Sequence, residues 1–210
     1  MNVLTIDRWT RVWRQVADTA DTRPVFEELL SRYSEPHRYY HNLNHIAECL
    51  VEFDSARELA RDPLAVELAI WFHDAVYDTR GSDNEEKSAE LAKWCIEEAG
   101  GSSALPQSVI ALVVATKTHD SSAHPDAPLL VDVDLSILGQ RKERFDQYES
   151  QIRHEYDWVA ESVFAAKRAQ ILEGFLARER VYTTQPFFAK YEQAARTNLR
   201  DSVRKLRSRA

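Results

Sequence analysis

LAVELAIWFHDAVY, residues 64–77, is the stretch from which the fold is read. Apolar side chains cover it nearly all round, with Glu67 and the His73-Asp74 pair as exceptions. A surface helix keeps one polar side, so a segment apolar on every face predicts a helix buried in the middle of a domain. Such a helix needs other helices packed about it, and the flanking sequence supplies them.

Toward the N-terminus, residues 7–20 carry Trp9, Val12, Trp13, Val16 and Ala20 at helical spacing, with Asp7 as a candidate cap. Pro24 fits the first turn of a second helix holding Phe26, Leu29, Leu30 and Tyr33. A third is expected over 42–61, with Leu43, Ile46, Leu50 and Phe53 on its apolar side. Downstream, Asp83 or Asn84 caps a helix that stops at Gly100-Gly101. Pro106 opens another; its β-branched run would suit a strand by propensity, but its surroundings favour a buried helix. The polar loop 120–128 leads into LLVDVDLSILG. A charged amphipathic helix is expected from Arg141 to about Arg178, then a break at 183–186 and a last helix. There is no internal repeat and no low-complexity linker, which favours one all-α domain over 1–210.

Composition narrows the function. Five Gly and seven Pro are few, as long helices require. A formal charge of −7 gives no basic footprint for a nucleic-acid polymer, although a bound cation would invert the sign locally. No run approaches the roughly 18 apolar residues of a membrane span, and the charged N-terminus lacks a signal-peptide core. Cys49 and Cys95 lie among apolar residues, reading as buried thiols of a reducing compartment. A cytoplasmic protein is expected.

The chemistry is concentrated in three segments. His73 and Asp74 end the most apolar helix, and no Lys or Arg occurs in 62–79. An ionised Asp there needs compensation from elsewhere in the fold or from a metal. Upstream lies YHNLNH, with His41 and His45; downstream lies VDVDLS, with Asp132 and Asp134. Two imidazoles and two carboxylates are suitable ligands for a hexacoordinate Mn, Fe, Co, Zn or Mg ion with positions left for water and substrate.

YHNLNHI at 40–46, AIWFHDAVYD at 69–78, DNEEKSAELA at 83–92 and VDVDLSILG at 131–139 together resemble the HD superfamily of metal-dependent phosphohydrolases, in particular its small bacterial members. The resemblance covers roughly residues 30–200 and implies a single-domain helical bundle of the HD type. The first and last motifs are also similar to those of cyclic-nucleotide phosphodiesterases. That likeness implies His45, His73, Asp74 and Asp134 as metal ligands, with Asp134 preferred over Asp132, and His41 as general acid toward the leaving group. A second register, matching Arg38-Tyr39-Tyr40-His41 to the superfamily's arginine-x-x-histidine form, would make His41 the ligand. The implied activity is hydrolysis of a small phosphomonoester or nucleotide.

Departures narrow the likeness. The phosphodiesterases follow His-Asp with a further aspartate and histidine, where this chain has Val76 and Tyr77, which argues against their second metal and against cyclic nucleotides. His119, and less so His124, are candidates for a second metal or for substrate phosphate, and Lys117 for a phosphate contact. One of Glu85 and Glu86, with Glu85 preferred, matches an acidic element that orients the attacking water; a carboxylate is also favourable at any helix N-terminus. His37, His154, Tyr156 and Trp158 read as structural. Two other functions share these residues: a metal-retaining regulatory or ligand-binding module without turnover, and an HD-type di-iron oxygenase.

Overall fold

The computed structural model describes residues 3–209, and every regular element among them is helical. The helices are α1 (Ile6–Val16), α2 (Arg23–Arg32), α3 (Leu43–Ala56), α4 (Pro63–Phe72), α5 (Asn84–Glu98), α6 (Leu105–Thr118), α7 (Ala127–Asp134), α8 (Lys142–Glu155), α9 (Glu161–Ala177) and α10 (Gln185–Arg207). Short 3₁₀ turns at Arg57–Leu59 and Leu135–Gly139 follow α3 and α7. The all-α expectation holds, and the β-branched run after Pro106 is helix. No helix among the described residues is long and apolar enough to cross a membrane. The chain divides into two compact units, the first ending at Val133 and the second beginning at Asp134.

In the first unit α4 is the hub, packed against α1, α3, α5 and α6. Every residue from Ala65 to Phe72 is buried, as the apolar stretch predicts. Trp71 meets Trp9 and Phe26 edge-on, at ring-centroid distances of 5.4 and 6.1 Å. Glu67 is carried into this core by Arg8, whose Nε donates to it at 2.7 Å, and by Arg57. Arg8 also forms a two-pronged pair with Asp54 at 2.7 and 2.8 Å. Both cysteines are buried free thiols.

Several expected boundaries move. α1 ends at Val16 and not near residue 20, because Trp9 Nε1 donates to Thr22 O at 2.7 Å and draws the chain back. Thr5, not Asp7, caps it, accepting from Arg8 N. α3 stops at Ala56 and tightens into 3₁₀ geometry. The largest difference is in the segment 64–77: α4 ends at Phe72, and His73 and Asp74 form a turn beyond it. The carbonyls of Asp74 and Ala75 are taken by the buried Arg38 guanidinium, and Val76 N donates to Ser88 Oγ at 3.0 Å. The end carbonyls of α4 are met outside the helix ladder, Ile70 O by His73 Nδ1 and Trp71 O by Tyr33 Oη, each at 3.0 Å, and Phe72 O by Ala75 N at 2.9 Å.

In the second unit α10 packs against α9 and the Leu135–Gly139 turn. That turn is held by Tyr182 Oη donating to Leu135 O and by Asn198 Nδ2 donating to Leu138 O, both at 2.9 Å. Gly139 is required there, since a Cβ would stand 2.5 Å from Tyr191 Cβ. The charged helix expected over 141–178 is two helices. Arg153 donates to Tyr156 O and Val159 O, satisfying the end of α8 before α9 begins.

Candidate metal centre

Three of the expected ligands converge in the first unit. His45 Nε2 and His73 Nε2 are 3.1 Å apart, His73 Nε2 is 3.1 Å from Asp74 Oδ2, and His45 Nε2 is 3.5 Å from the same oxygen. Two ligands each about 2.1 Å from an ion and at right angles to one another stand about 3 Å apart, so this triangle has the edge lengths of one face of a coordination sphere. The imidazoles are buried while the Asp74 side chain keeps 17% of its exposure, so the cluster is approached from the carboxylate side. His45, His73 and Asp74 are thus positioned to hold a metal ion.

Local structure explains the convergence. Asn42 adopts extended backbone and caps α3, its Oδ1 accepting from Asn44 N at 2.8 Å. His45 then sits in the first turn of α3, on the side buried against α4. His73 is the C-cap of α4, with its Nδ1 3.0 Å from Ile70 O. A carbonyl only accepts, so Nδ1 carries a hydrogen, and Nε2 is the nitrogen that faces the cluster. A metal-binding imidazole is commonly oriented by a backbone carbonyl in this way. Asp74 follows on the turn. Burial alone would raise its pKa, but the charges of His73 and His41, with hydrogen bonds from His45 and His73, outweigh burial and hold the carboxyl well below the usual range. It is kept as the anion a ligand must be.

His41 stands just outside α3 and belongs to no ligand group among the described residues. Its half-buried ring is 6.0 Å from that of His45, and it lies between Tyr40 at 5.0 Å and Tyr77 at 4.3 Å. It therefore leans over the cluster without joining it. Asp134 is the last residue of α7 and is half-buried, and Asp132 is fully buried.

The remaining candidates lie elsewhere. Lys117 Nζ donates to Glu86 Oε1 and to Ser82 O, each at 2.6 Å, tying the end of α6 to the start of α5. Glu85 is in the first turn of α5, its Oε2 4.0 Å from Lys117 Nζ. His119 is the C-cap of α6 in left-handed conformation, φ 52°, and joins no ligand group among the described residues. His124 accepts from Asp126 N at 3.1 Å and serves its loop. His37 donates to Tyr77 O at 3.0 Å.

Two residues were not singled out as neighbours of the cluster by sequence. Cys49 Sγ lies 3.7 Å from His45 Nδ1; its spacing of four from His45 on a helix was the available signal. Arg38 reaches the backbone of the His73-Asp74 turn across 36 residues, and no local pattern announces that. A scan against protein-family models finds no match to this chain, and searches of curated proteins and of solved structures return none either.

Proposed function

We propose that this chain is a metal-dependent phosphohydrolase that holds one divalent ion through His45, His73 and Asp74. The observation that carries the proposal is the triangle of donor atoms, 3.1, 3.1 and 3.5 Å on its edges, of which Asp74 alone keeps some exposure. Its donor set of two imidazoles and a carboxylate suits Mn, Fe, Co or Zn. A bound divalent ion supplies Lewis acidity and activation of water near neutral pH.

The chain's own residues do the rest. His73 is oriented by Ile70 O, so its donor nitrogen is preorganised. His41, held between two tyrosine rings beside the cluster, donates a proton to the leaving oxygen of a phosphomonoester or nucleotide. Lys117 is engaged by Glu86 and is not assigned to the substrate. The di-iron alternative needs further histidines, and His119 and His124 join no ligand group among the described residues.

The test is metal content by mass spectrometry, followed by turnover of the metal-loaded chain on phosphomonoesters and nucleotides. About one ion per chain and turnover abolished by His73→Ala are expected. Metal without turnover on any substrate would favour the binding module, two irons the oxygenase, and no retained metal would refute the reading.

A further inference from the structure

We infer that Arg38 is a positioning residue, the brace that sets Asp74 and His41 in place around the cluster. The inference rests on the metal reading of that cluster. Arg38 is all but inaccessible, its side chain 1% exposed. Its Nη1 donates to Asp74 O at 2.6 Å and to His41 O at 3.2 Å, and its Nη2 donates to Ala75 O at 3.0 Å. Its Nε donates to Glu35 Oε2 at 2.9 Å. The guanidinium also lies 5.2 Å from the Tyr33 ring centroid and 5.4 Å from that of Tyr77, the ring beside His41.

The guanidinium thus clamps two backbone segments, one bearing the candidate general acid and the other the candidate ligand. Four donor contacts are directed to backbone carbonyls and Glu35, so Arg38 is occupied as a brace and not presented to a substrate phosphate. The planar fork is what allows the double reach. A lysine ammonium is a single centre and cannot meet Asp74 O, Ala75 O and Glu35 with comparable geometry.

The experiment uses the full chain, wild type and Arg38→Lys, titrated with Co²⁺ and followed by its visible absorption, with folding checked by far-ultraviolet circular dichroism. Groups that orient ligands typically contribute 10–100-fold to metal affinity, so Arg38→Lys should bind Co²⁺ about 10–100-fold more weakly, with shifted ligand-field bands. A folded Arg38→Lys with wild-type affinity and spectrum overturns the inference. If Arg38→Lys does not fold, Glu35→Gln decides, since it loosens the Nε contact and otherwise touches only the half-exposed His37, whose Nε2 is 3.8 Å from the same oxygen: weaker Co²⁺ binding at unchanged melting temperature supports the brace, and unchanged binding overturns it. A wild-type chain that gives no cobalt spectrum would refute the metal reading itself. The imidazole ¹⁵N shifts of His45 and His73 in metal-free protein at one pH would then judge Arg38, displaced in Arg38→Lys if it positions the cluster and unmoved if it does not.

Discussion

Substituting His41 and His45 separately gives the sharpest separation of roles, because the cap at Asn42 puts one outside α3 and the other inside the cluster. The readout is the melting temperature of each variant with and without Mn²⁺, Co²⁺ or Zn²⁺. Comparing each protein with itself cancels the cost of removing a buried ring. A ligand bound only by the folded state at about 100 times its Kd stabilises by about 2.7 kcal/mol. For a chain of 210 residues, each kcal/mol moves the midpoint by roughly 2–4 °C, so the wild type should gain roughly 5–11 °C. His45→Ala removes one of the three converging donors. A loss of about 100-fold in affinity leaves about 0.4 kcal/mol at the same metal concentration, a shift of about 1–2 °C. His41→Ala should keep the full shift while turnover falls by on the order of 10²–10⁴-fold, less for an activated aryl phosphate whose leaving group needs no proton. Retention of the shift by His45→Ala with its loss in His41→Ala would reverse the register and refute the reasoning. A wild type unmoved by any of the three metals would refute it too.

Burial pushes the Cys95 thiol up to about 11, so it should resist alkylation at pH 8 until the chain is denatured; rapid labelling of the native protein, located by peptide mass spectrometry, would contradict this. Gly139→Ala should destabilise by about 1–3 kcal/mol in urea unfolding, because the new Cβ would overlap Tyr191; an unchanged midpoint would mean that this approach relaxes freely. The depressed pKa of Asp74 makes its contribution to metal-free stability present above the ordinary carboxylate range and lost as pH falls through its lower folded value. The stability gap between wild type and Asp74→Asn should therefore hold near pH 6 and close in acid, and a gap that widened on acidification would reverse the sign.

Helical periodicity carried most of the fold, since burial of one face or of all faces writes itself into local sequence. The all-round apolar character of Ala65 to Phe72 corresponds directly to the hub helix. What stayed hidden depends on contacts between distant residues. At the end of α4 the Trp71 carbonyl is taken by Tyr33, 38 residues earlier, and Val76 N by Ser88, while the break after α8 is met by the Arg153 side chain reaching the carbonyls of Tyr156 and Val159. At the candidate site, the meeting of His45 with His73 and Asp74 was legible because the buried aspartate called for compensation and the nearest motif upstream offered an imidazole. The pairing of Lys117 with Glu86, 31 residues earlier, was not legible, because a lysine beside a histidine carries no sign of a distant partner.

The two acids of the 64–77 segment are compensated differently in the same apolar surroundings. Glu67 is buried against Arg8 and Arg57, cations at any physiological pH, and its charge is neutralised within the protein. The groups that hold the Asp74 carboxylate are imidazoles, whose charge depends on pH and which can turn lone pairs toward a shared ion. The nearby guanidinium of Arg38 is aimed at the Asp74 carbonyl, not at its carboxylate. The fold therefore supplies a permanent cation to the acid that only has to be buried. It surrounds the other with imidazoles whose donor atoms lie close enough to the carboxylate for the three to hold one ion together.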